Sequence, residues 1–163
     1  MRFLSIDLCR KWLESGPFRW IFGCKLPDNI ISVDEDYNAA LVRLKELYNE
    51  YVAISATSPT IFAHAISSLS FCSGGSKGRI LAWLAMAGQD FMTNLKEHEP
   101  MALLILLHWA VLLMNLSDLW WARNAGKRLV EDVAMALEKV AFESGPSCLP
   151  KWVEAVRWAR LLP

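Results

Sequence analysis

The sequence has no excess of charge of either sign: Lys plus Arg and Asp plus Glu number 17 each, and the formal net charge is zero. That balance removes the basic footprint by which a nucleic-acid-binding domain attracts phosphates. The densest basic cluster, Arg123, Lys127 and Arg128, reads as a solvated helix face or a contact for an acidic partner. No C-x-x-C pair occurs, and Cys9, Cys24, Cys72 and Cys148 lie too far apart to hold a finger-type zinc. Four reduced thiols and no metal site are therefore expected. His64 and His98 also lack ligand spacing and read as ordinary surface or core residues. H-E-x-x-H, the phosphate loop G-x-x-x-x-G-K-[ST] and paired carboxylates are missing, and the one G-x-S-x-G string, Gly74 to Gly78, lies in a Gly/Ser-rich loop with no strand before it and so is no nucleophile elbow, which leaves no catalytic residue and no cofactor to nominate. Repeats, heptads and low-complexity segments are absent as well. The opening MRFLSIDLCRKW breaks its apolar run with Asp7, Arg10 and Lys11, so an intracellular protein, nuclear or cytoplasmic, is expected rather than a secreted one.

What is abundant is apolar surface. Hydrophobic residues make up 54% of the 163, eight of them tryptophan, and the mean hydropathy is positive. A chain of this length forms one domain and buries roughly two thirds of its unfolded surface. The surplus of greasy side chains points to a partner surface, an interior cavity, or both. Its centre is PMALLILLHWAVLLMNL, Pro100 to Leu116, where every side chain from Met101 to Met114 is apolar except His108. Proline suits the first turn of a helix, and Glu97 and Glu99 lie just ahead, at the positive end of its dipole. Fourteen residues at ~1.5 Å each reach roughly 21 Å, short of the ~30 Å core of a bilayer. The stretch is therefore expected to be a core helix wrapped by others, with no membrane span.

Around it the periodicity predicts helices throughout. Residues 2–14 carry Leu4, Leu8 and Trp12 at four-residue spacing, Pro17 can start a short turn, and residues 24–34 read as a loop. Ser32 or Asp34 can cap a helix whose inward stripe is Tyr37, Ala40, Leu41, Leu44, Leu47, Tyr48 and Tyr51, with Asp34, Glu35 and Asp36 at its start. Glu35, Arg43, Lys45, Glu46 and Glu50 form its solvated face. Ser58-Pro59 opens another helix, residues 70–78 are a Gly/Ser-rich loop, and residues 79–87 are helical or irregular. A short helix over 89–98 turns Phe91, Met92 and Leu95 inward. After a turn at Trp120-Trp121, Asn124 can cap a helix with the stripe Leu129, Val130, Val133, Ala134, Leu137 and Val140. Pro150 begins a last helix with Trp152, Val153 and Val156 inward. The expected fold is all-α, a single domain of seven or eight helices around residues 100–116.

From Arg79 to Val133 three elements follow in order: LAWLAMAGQDF, HEPMALLILLHWAVLL and LWWARNAGKRLVEDV. Together they resemble the carboxy-terminal regulatory domain of fungal zinc-cluster transcription factors of the sterol uptake control type. The resemblance implies a truncated helical domain, residues 1–163 corresponding to its carboxy-terminal half, that binds a sterol or other apolar molecule, a protein partner or a second copy of itself. The zinc cluster that reads DNA in that family has no counterpart here, so direct DNA binding is not expected. Leu84 stands where family members commonly carry a proline. A second function class is a small biosynthetic enzyme of fungal secondary metabolism, a cyclase or isomerase descended from such a domain.

The expected ligand-binding residues are Trp83, Met86, Phe91, Leu104, His108, Leu112, Trp120 and Trp121. Aromatic rings supply flat apolar area, methionine adapts to irregular shapes, and Leu104, Ile105, Val111 and Leu112 sit one turn from His108. The same residues also suit plain core packing, and a stripe of them an interface. His108 admits three readings: a core histidine bonded to a carbonyl or carboxylate, a polar anchor for a ligand hydroxyl, or an acid/base group.

Overall fold

Glu99 and Pro100 set where the central helix begins. The Glu99 carboxylate accepts a hydrogen bond from the amide of Ala102 at 2.9 Å and another from the Tyr51 hydroxyl. One of the first-turn amides left over by helix geometry is thereby satisfied. In the computed structural model, which describes residues 35–54, 59–116, 119–144 and 149–162, this helix is the fifth of seven. They are α1 (Glu35–Ile54), α2 (Pro59–Ser73), α3 (Lys77–Ala87), α4 (Gln89–Lys96), α5 (Pro100–Met114), α6 (Trp120–Ser144) and α7 (Leu149–Leu161). Among the described residues there is no strand, so the fold is all-α, as expected. The expectations for residues 2–34, the cap at Ser58, Ser117-Asp118 and the cysteines Cys9, Cys24 and Cys148 lie outside the described residues.

Every residue of α5 from Met101 to Met114 is buried, His108 included. A helix apolar on all sides needs neighbours on all sides, and it has them. Helix α6 lies along it with the most extensive contact, while α1, α2, α3, α4 and α7 cover the rest. Gly126 permits the close approach of α6: a Cβ there would stand 2.8 Å from the Ala110 carbonyl oxygen and the Met114 amide nitrogen. On the α3 side, Trp83 is fully buried and donates from Nε1 to the Ala65 carbonyl at 3.1 Å. Trp109 of α5 donates to the Ile80 carbonyl at 2.7 Å. Phe91 meets Trp83 edge-on, with ring centroids 5.4 Å apart. Residues 79–87, expected to be helical or irregular, are thus helical, and those bonds dock α3 on α2 and α5.

Three boundaries differ from expectation. The loop at 70–78 shrinks to Gly74-Gly75-Ser76, because α2 runs on to Ser73 and α3 starts at Lys77. Helix α6 starts at Trp120, not after Asn124, since the Leu119 carbonyl already accepts from the amides of Ala122 and Arg123. Aromatic residues are tolerable helix formers, so the Trp pair extends the helix. In α7, Trp152 and Val156 face inward, joined by Ala159, but Val153 is turned outward and 47% exposed. Among the described residues no single helix is long and apolar enough to cross a membrane; α4 and α5 together would be, but they are bent by 108° at a break. His98 takes a positive φ of 57° at that bend.

Candidate functional site

Two helix faces and the middle of α5 enclose a cleft. Helix α1 contributes Ala40, Leu44 and Leu47 below and Arg43, Glu46 and Glu50 above, at the i, i+3, i+4, i+7 spacing of one helix face. Helix α7 contributes Lys151, Glu154, Ala155 and Trp158 at the same spacing, and α5 closes the floor with His108. The cleft has a volume of about 200 Å³. Its rim is charged and its floor is apolar. Arg43 lies 3.9 Å from Glu154, and Lys151 pairs with Glu50, so the two walls are linked by ion pairs. These groups are half exposed or more, and each pair contributes little to stability, ~0–1 kcal/mol.

The floor is where the polar chemistry lies. His108 is 2% exposed and its Nδ1 sits 2.8 Å from the Leu104 carbonyl. A carbonyl oxygen only accepts, and the ring faces a second one, that of Ala40, so both nitrogens are turned toward backbone and the neutral ring donates to one of the two. Burial pushes the imidazole down to about 4; the carbonyls of Leu104 and Ala40 pull the other way, and Arg43 adds a smaller push down. At neutral pH the ring is therefore uncharged. Its backbone is held too: the Tyr37 hydroxyl donates to the His108 carbonyl at 3.1 Å. Burial, with a smaller contribution from Cys72, raises the Tyr37 phenol well above its ordinary value, so it stays a donor. The Trp158 ring lies 5.3 Å from His108 and 6.1 Å from Tyr37, centroid to centroid. Its Nε1–H is buried and has no acceptor among the described residues. An orphaned buried donor costs roughly 1–3 kcal/mol.

Of the eight residues expected to bind a ligand, only His108 lines this cleft. Trp83, Phe91, Leu104 and Leu112 are fully buried in the core, with Trp83 and Phe91 in contact. Met86 is 36% exposed, and its carbonyl faces His64 Nε2 at 3.0 Å. Trp120 is 75% exposed, and its neighbour Trp121 is half-buried. The eight do not converge on one cavity. His108 itself follows its core reading, bonded to a carbonyl, while also facing the cleft. Trp158 was missed because it falls off the Trp152–Val156–Ala159 stripe. The signal that could have found it is the opposed charge on two faces, Arg43 and Glu50 on α1 against Glu154 and Lys151 on α7. His64 and His98 are exposed, and the described residues contain no group of His, Cys, Asp and Glu able to hold a metal ion. No family model, no curated protein and no solved structure matches the chain.

Proposed function

We propose that the chain is a ligand-responsive regulatory domain of the fungal zinc-cluster type, acting on transcription through a protein partner. An apolar, sterol-like molecule would occupy the cleft between α1, α5 and α7. The observation that carries this reading is the cleft itself, about 200 Å³ between α1, α5 and α7, greasy below a charged rim and lined by His108 and Trp158. The ordered Arg79–Val133 resemblance supports it as well. Because the walls come from two helices joined at the rim by ion pairs, an occupant touches both and favours whichever arrangement of α1 and α7 fits it better. Such a ligand shifts a conformational balance only by its differential affinity for the two states. The enzyme reading is less well supported, since an imidazole held near 4 is a weak base at neutral pH.

Thermal melting with and without a sterol delivered from cyclodextrin tests the proposal. Ligand at about 100 times its Kd adds ~2.7 kcal/mol, which corresponds to a rise in Tm of roughly 5–10 °C for a domain of this size. Ala155→Phe, which fills the cleft, is expected to abolish the rise while leaving a cooperative transition. An unchanged Tm in the folded wild-type protein at saturating sterol contradicts the ligand part of the reading.

A further inference from the structure

We infer that the cleft takes the apolar end of a small amphiphile and that its mouth prefers an ammonium group to a carboxylate, with Glu46 as the residue that makes the choice. The inference rests on the reading of the cleft as the ligand site and specifies which polar end that site accepts.

The floor decides what goes in. Ala40, Leu44, Leu47 and Ala155 are apolar, and the polar atoms of the two rings beside them are turned away. Both ring nitrogens of His108 face backbone carbonyls, and Trp158 Nε1–H is buried, so what the two rings offer the cleft is carbon. Nothing on the floor can answer a hydroxyl or a charge, and burying either one unanswered is costly. Volume then limits how much goes in. About 200 Å³ exceeds the ~150 Å³ that admits benzene, but it lies below the ~300–1,000 Å³ of sites that enclose drug-sized ligands. One six-membered ring or a short alkyl group fits, and the polar end of the molecule stays at the mouth.

The mouth decides which polar end is accepted. Arg43 lies 3.9 Å from Glu154 and Lys151 pairs with Glu50, so each cation at the rim faces a carboxylate of the opposite wall. Glu46 is the remaining charge, and it has no ion-pair partner among the described residues. It stands three residues after Arg43 and four before Glu50 on one helix face, about 4.5 Å and 6 Å away along the axis at ~1.5 Å per residue. The two cross-cleft pairs therefore frame it. An ammonium at the mouth meets an unpaired carboxylate, whereas a carboxylate there meets like charge and no free cation among the lining residues. Arg43 disfavours positive charge down at His108, which keeps an ammonium at the level of Glu46. Because Glu46 is exposed, each effect is small, about three-fold in affinity, and the two together separate ammonium from carboxylate by about ten-fold. A sterol held in the same way keeps its hydroxyl at the mouth, where it is accepted without being selected.

Titrations with 2-phenylethylamine, 2-phenylethanol and phenylacetate at neutral pH, followed through the Trp158 indole N–H resonance in a ¹H–¹⁵N spectrum, test this. The three share one ring and differ in the charge of the polar end. The expected order of affinity is amine, alcohol, carboxylate, with about ten-fold between first and last and a narrower gap at high salt, which screens exposed charges. Glu46→Gln, a change at an exposed position, should bring the amine to the alcohol's affinity and leave the alcohol where it was. Ala155→Phe should abolish binding of all three. Equal affinities for wild type, or a carboxylate that binds as tightly as the amine, would overturn the charge preference while leaving the cleft as the ligand site. An amine advantage that survives Glu46→Gln overturns the role of Glu46. Binding that survives Ala155→Phe, or no binding of any of the three, overturns the inference outright; a sterol-induced rise in Tm in that same wild-type protein would leave the regulatory reading standing and place the sterol elsewhere.

Discussion

Enclosing an imidazole among leucines withdraws the water that would stabilise its cation, and this ties folding to pH through a single residue. Unfolded, His108 titrates near its ordinary 6.5; folded, near 4. Between those values the unfolded chain binds a proton that the folded one does not, so stability is lost as pH falls from about 6.5 toward 4. Above that window the group makes no difference, and below it the loss is complete. The gap of about 2.5 units corresponds to roughly 3 kcal/mol. Urea midpoints from pH 7.5 to 4.5 should therefore fall more steeply for wild type than for His108→Gln, although the variant starts lower because it disturbs a buried site. Parallel curves would show that the imidazole is not dry. Trp158 shows the complementary case: its Nε1–H is buried without an acceptor among the described residues, which costs the fold roughly 1–3 kcal/mol.

Helices are legible in this sequence to the extent that each has one partner face. The stripe Tyr37, Ala40, Leu41, Leu44 and Leu47 is buried as its spacing predicts, with Tyr48 and Tyr51 packed at its edge. Leu129 to Val140 on α6 behaves the same way. Ends are less legible, because they depend on which carbonyl is free to accept. Leu119 provides one, and α6 gains a turn where a break at the Trp pair was expected. Gly126 lies inside α6, where its missing side chain lets two backbones touch. Gly126→Ala sets two effects against each other. Alanine gains ~1 kcal/mol of helix propensity, while its Cβ would meet backbone atoms of α5 at 2.8 Å, and backbone in a packed core does not yield like the end of a long side chain. Overpacking of this kind costs ~1–3 kcal/mol, so a net loss of about 1 kcal/mol is expected in urea denaturation. A more stable variant would mean that α5 and α6 are farther apart than described.

The site was less legible than the fold, and the reason is one of scale. His108 stands out in the sequence because it is polar in an apolar run. The cleft it faces does not, since α1 and α7 are more than ninety residues apart in the chain and meet only because both lie on α5. Trp83, Phe91, Leu104 and Leu112 have the chemistry of a cavity lining, but the packing of α2, α3 and α4 uses them as core. For the whole molecule everything therefore depends on α5 being enclosed, since it is both the centre of the core and the floor of the site. Backbone amides that exchange with solvent only when the entire domain unfolds report this without any ligand. Native-state hydrogen exchange should place the amides of residues 104–114 among the slowest in the protein, all with one opening free energy equal to that of global unfolding. Exchange of that stretch by a low-energy local opening, while α1 and α6 stay protected, would contradict the account.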